Sequence, residues 1–173
     1  MNAVYIQSAL LEDKLAPAPK KAKKVIFSDP FIYHAVNSWL NPCNDPFEML
    51  LLPEINSAKA CSKIVEACIV NQYKRQFPVY YIKAKGEVDI AYIHKKQFWP
   101  IEIKWTEQIR PKELKQISKY PNGKILTKSQ NAGEIHGIPT EPIPVNLLRL
   151  GYDANLGGFD FLKDEPDIYS VKS

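Results

Sequence analysis

The chain has 173 residues, 45% hydrophobic and 24% charged, with a formal net charge of +4. That suffices for one sizeable core with some trimmings and leaves little room for two full domains. No signal-peptide pattern is read at the start of the sequence, no apolar run approaches the roughly 18 to 20 residues of a membrane-spanning helix, and Cys43, Cys61 and Cys68 lack metal-site spacing. A cytoplasmic protein without a membrane span, structural zinc or disulfide framework is expected.

Residues 1–24 read as an N-terminal arm and basic linker. An amphipathic Val4–Leu15 stretch is followed by Ala16-Pro17-Ala18-Pro19 and then Lys20, Lys21, Lys23 and Lys24. The lysines suit either a solvated linker or attraction to an anionic partner. Val25-Ile26-Phe27 is a short strand, and Ser28-Asp29-Pro30 supplies an N-cap and a proline for a helix running to Leu40, stopped by Asn41-Pro42. From Ser57 to Tyr73 there is no Gly or Pro, and apolar residues nearly all round the wheel predict a helix buried on most of its circumference, with Glu66 among them. Three strands follow in a meander, Val79–Ile82, Val88–Ile93 and Phe98–Trp105. Arg110–Tyr120 has helix character and Lys124–Thr127 resumes as a strand, a pattern that favours a parallel crossover. Pro and apolar residues alternate through Ile138–Leu150, and residues 151–173 read as a polar, acidic surface tail. The main domain is residues 25–150, an α/β fold with a small mixed sheet flanked by helices.

One constellation could carry chemistry. In Pro100-Ile101-Glu102-Ile103-Lys104-Trp105, strand alternation puts Glu102 and Lys104 on one face and the apolar residues on the other. Glu87 and Asp89 share a face of the preceding strand by the same rule, so a tight turn could bring Asp89 to Glu102. Carboxylates meeting beside a lysine would suit a divalent cation that polarises a phosphate and activates water. The pattern E-x-K alone is weak, since Glu12-Asp13-Lys14 and Glu113-Leu114-Lys115 repeat it. An ordinary cross-strand ion pair is the alternative reading.

The order of a helix carrying Glu66, a strand carrying Gly86-Glu87-Val88-Asp89 and a strand carrying Glu102-x-Lys104 resembles the PD-(D/E)xK superfamily of restriction-endonuclease-like nucleases. More narrowly, Lys23-Lys24-Val25-Ile26-Phe27-Ser28-Asp29-Pro30, Ile64-Val65-Glu66-Ala67, Gly86–Ile90 and Pro100–Trp105 look like the C-terminal domain found behind AAA-type ATPase modules, over residues 20–150. The resemblance implies a nuclease-like domain at 25–150 and a catalytic set of Glu66, Asp89, Glu102 and Lys104. In that set Asp89 and Glu102 would be ligands of Mg²⁺ or Mn²⁺, and DNA and an AAA-type ATPase would be partners. The superfamily's Pro-Asp is here Val88-Asp89. No phosphate-binding G-x-x-x-x-G-K-[ST] loop occurs, so ATP hydrolysis is not expected of this chain. A catalytically inactive module that keeps the fold for binding is the second expectation.

Overall fold

The structure, a computed structural model, describes residues 3–8, 15–20, 23–83, 86–106 and 108–154, with 3–8 and 152–154 as backbone alone. Much of the predicted acidic tail, the Glu12/Lys14 pair and Lys21 lie outside the described residues.

The architecture is α/β. Among the described residues eight strands form one mixed sheet: β1 (Ala3–Ser8), β2 (Lys24–Phe27), β3 (Tyr80–Lys83), β4 (Glu87–His94), β5 (Gln97–Lys104), β6 (Lys124–Thr127), β7 (Gly133–Ile135) and β8 (Ile138–Pro142). Their spatial order is β2-β1-β3-β4-β5-β6-β8-β7. The 3–8 segment of the predicted arm is thus an interior strand, antiparallel to β2 over Ala3–Ile6 and parallel to β3 at Gln7–Ser8. β3, β4 and β5 form the expected meander, and β5 to β6 is the expected parallel crossover.

Among the described residues four α-helices accompany the sheet: α1 (Pro30–Leu40), α2 (Leu52–Asn56), α3 (Ala58–Gln76) and α4 (Ile143–Ala154), with a π-helical turn at Phe47–Leu51 leading into α2. Asp29 caps α1 by accepting from the Phe31 N–H at 2.7 Å, as a residue with a short acceptor side chain does at a helix start. α3 departs from its predicted burial: Ile69, Val70, Asn71 and Tyr73 are buried, whereas its first half, Glu66 included, is only partly covered. Arg110–Tyr120 is not a continuous helix but two 3₁₀ turns, Pro111–Leu114 and Ile117–Lys119. Leu114 and Ile117, three residues apart, are both buried, and this spacing fits 3₁₀ geometry, in which such residues eclipse.

Two apolar cores lie on the two faces of the sheet. Ile69, Val70 and Tyr73 of α3 and Ile143 of α4 pack with Ile90, Ile101, Ile103 and Leu126. On the other face Val88, Ala91, Ile125 and Ile138 meet Leu114 and Ile117 from the 3₁₀ turns. The strands shared by both cores carry the candidate site at one end.

Candidate metal-binding cleft at the splayed end of the sheet

Strict alternation along β4 would place Val88 and Ile90 on one face. Instead Val88 lies in the second core and Ile90 in the first. The cause is a β-bulge: Ile82 pairs with Val88 but Tyr80 pairs with Ala91, so Asp89 and Ile90 together oppose Tyr81. A bulge frees a side chain from the pleat and bends its strand. The β4–β5 ladder runs from His94↔Gln97 to Ile90↔Ile101, and the Asp89 carboxylate continues where it stops, its Oδ2 accepting from the Ile103 N–H at 3.0 Å. A side chain thereby satisfies a buried backbone donor at the point where two strands part.

β5 obeys the expected alternation. Ile101 and Ile103 enter the core beneath α3, so Glu102 and Lys104 project on the opposite face. There the Lys104 ammonium pairs with Glu102 Oε1 at 2.8 Å and approaches Glu113, on the first 3₁₀ turn, at 3.8 Å. Glu66 approaches from α3, on the other side of the sheet. Between Glu66 and Asp89 sits a residue that sequence reasoning had left among the basic linker lysines: Lys24, whose ammonium is ion-paired with Glu66 and lies 3.2 Å from Asp89 Oδ1.

Glu66, Asp89, Glu102 and Lys104 thus line one cleft of about 430 Å³, joined by Lys24, Lys112 and Glu113. Glu87 lies at the same cleft, but its carboxylate pairs with Lys83 at 3.1 Å. A separate, mostly apolar cavity of about 460 Å³ lies against β2, α1 and α3 and holds none of the four predicted residues.

The electrostatics follow from burial. Asp89 and Glu102 are 7% and 5% exposed. Loss of solvation, and then the neighbouring Asp89 charge, push the Glu102 carboxyl up to about 8 and that of Glu66 up to about 7. Lys104 does not reverse the shift of Glu102, because the carboxylate is the more deeply buried partner and its desolvation dominates. Burial works against the charge of both lysines, yet the facing carboxylates outweigh it and hold Lys24 and Lys104 above the ordinary ammonium value.

The donor set can be tested against a divalent cation. Glu66 and Glu102 reach Asp89 from opposite faces, and among the described residues no three His, Cys, Asp or Glu side chains gather at metal-ligand spacing. Glu102 Oε2, however, is buried without a hydrogen-bond partner, a costly state for a carboxylate oxygen. Two hard carboxylates with water completing the shell fit the habit of Mg²⁺, which keeps several waters and takes only one or two protein carboxylates. The residues fit such an ion through Asp89 and Glu102.

The chain matches no family model, no curated protein and no solved structure.

A second polar cluster was not anticipated. Glu141, 5% exposed on β8, accepts from Lys124 at 2.8 Å, Asn146 at 3.1 Å and Arg149 at 2.7 Å, while Tyr73 donates to Asn146 at 2.6 Å. Its lysine and arginine hold the Glu141 carboxyl below its usual value despite burial. With its carboxylate answered on both oxygens, this cluster ties β8 and α4 to β6 and α3 as a structural corner.

Proposed function

We propose that this domain is a metal-dependent phosphodiesterase acting on DNA, built on a restriction-endonuclease-like fold and working beside an AAA-type ATPase module. The observation that carries the reading is the buried, unpartnered Glu102 Oε2 in a cleft shared with Asp89 and Lys104. Charge supports it: the cleft lining has five carboxyl groups against three ammonium groups, with Lys83 answering Glu87 from outside, so carboxylates are in excess once Glu66 and Glu102, raised to about 7 and about 8, are ionised. Such a surface repels phosphate unless a cation is present.

Asp89 and Glu102 would hold a Mg²⁺ or Mn²⁺ ion. When bound, the ion would polarise the phosphate and lower the pKa of a coordinated water. Lys104, beside Glu102, would orient the attacking water or stabilise charge that develops on the phosphate. Asp89 is held by the Ile103 N–H, which fixes its orientation. The ATPase partner rests on the resemblance of the four motifs and is tested by co-purification.

A second reading is a nuclease-fold module used for binding alone. One observation favours it: the Lys24 ammonium already answers Asp89 Oδ1, a ligand oxygen in the first reading. The experiment that separates the two is cleavage of single-stranded, duplex and branched DNA with Mg²⁺ or Mn²⁺, comparing wild type with Asp89→Ala. Metal-dependent cleavage lost in the variant supports the phosphodiesterase. Its absence on every DNA form, with binding retained, selects the second reading.

A further inference from the structure

Lys24 was expected in a basic run, either solvated or facing an anionic partner, yet its side chain is 25% exposed and its ammonium bridges carboxylates from two elements, Glu66 of α3 and Asp89 of β4. The local sequence sets this up. In β2, Lys24 and Ile26 share a face, and Ile26 packs against the core beneath α3, which directs the Lys24 stem toward the same helix. Asn71 of α3 clamps the far end of the strand by donating to the Phe27 carbonyl at 2.8 Å. β2 is nonetheless the outermost strand, four residues long, with β1 as its neighbour in the sheet. The anchored end is Phe27, and Lys24 is the first residue at the other end.

Asp89 has two carboxylate oxygens. Oδ2 is engaged by the Ile103 N–H and Oδ1 by Lys24. A divalent ion seated on Asp89 would meet the ammonium at close range, and two cations in one partly buried cleft repel strongly. We propose that Lys24 is a built-in cation that occupies the Asp89 side of the cleft and must withdraw before a divalent ion can bind, so that metal loading is gated by the position of a single side chain on an edge strand. The proposal rests on the metal-site reading above. A lysine stem suits the task, because four methylenes let the ammonium swing between a carboxylate pair and the solvent while the stem stays packed. Glu66 then has a defined role: it holds the withdrawn or resident ammonium and need not ligate the ion.

The test is Mn²⁺ binding to the full chain, followed by the loss of the free-ion paramagnetic resonance signal, in wild type, Lys24→Met and Lys24→Met/Asp89→Ala. Removing the competing charge is expected to tighten Mn²⁺ binding about tenfold or more, and removing Asp89 as well is expected to abolish it. If Lys24→Met does not fold, the same comparison is made between Glu66→Gln and Lys24→Met/Glu66→Gln, where Asp89, still held by the Ile103 N–H, is the one acid that loses the lysine, and the same tightening is expected. Equal or weaker binding without Lys24, still abolished by Asp89→Ala, overturns the gate and leaves the metal site standing. No Mn²⁺ binding in any variant overturns both.

Discussion

Glu102 and Glu66 hold protons in the folded chain that they would release when unfolded. Their ordinary value is 4.5, and burial beside Asp89 raises them to about 8 and about 7. The folded state therefore binds more protons between these limits, and stability falls as pH rises. The contribution is fully present below about pH 4.5 and is lost as pH climbs through 7 and then 8. Glu102→Gln removes the charge that burial penalises while keeping the shape of the side chain. It is expected to flatten the decline in stability between pH 5 and 8 and to gain on the order of 1–3 kcal/mol at pH 8, as read by urea denaturation at a series of pH values. An unchanged slope would mean that Glu102 titrates as a solvated carboxylate. The same protons compete with a metal, so any Mn²⁺ affinity should strengthen over this pH range, opposite in direction to the stability of the apo protein.

At the scale of elements, the turn between β4 and β5 carries measurable strain. Lys95 and Lys96 both have positive φ, 50° and 63°, in the two-residue connection closed by the His94↔Gln97 pair. Such hairpin turns match the twist of the strands but favour Asn-Gly, because a side chain in the left-handed region costs about 1–2 kcal/mol. Lys95→Asn with Lys96→Gly is expected to raise stability by about 1–2 kcal/mol, measured as a shift in the denaturation midpoint with an unchanged slope. A loss of stability would place those lysines in contacts that outweigh the strain. This hairpin was legible from its flanking alternation, as were α1 with its Asp29 cap, the meander and the strand Lys124–Thr127. The bulge at Asp89 was not, since an extra residue in a strand leaves no mark in a period-two pattern. Nor was the β7–β8 hairpin: Gly133–Ile135 is too short to show alternation, although Gly137, at φ 78°, marks the turn. Of the cleft, Asp89, Glu102 and Lys104 could be read from strand alternation, whereas Glu66 came only with the resemblance. Lys24 was missed because a lysine in a basic run looks solvated, and only the long-range packing of β2 beside α3 turns it inward.

For the molecule as a whole, the net charge of +4 and the character of the cleft point in opposite directions. A basic protein attracts DNA at low salt in any orientation, through whichever lysines are exposed. The cleft, with carboxylates in excess once Glu66 and Glu102 are ionised, does not take part in that attraction unless a cation offsets them. If the cleft is where a phosphodiester sits, DNA binding should have two components: a weak one that falls steeply with salt, and a second that needs a divalent ion and survives moderate salt better because the contact is partly desolvated. Ca²⁺ supplies the charge with different ligand demands, so binding can be followed in its presence as well as with Mg²⁺. Fluorescence anisotropy of a labelled duplex at about 0.15 M salt is expected to show binding at least several-fold tighter with the divalent ion than without it, and Asp89→Ala should remove that difference while leaving the salt-sensitive part intact. Binding that is indifferent to divalent ions and to Asp89 would place the DNA on another surface. The domain would then be the binding-only module, with Lys24 as the permanent occupant of the acidic cleft.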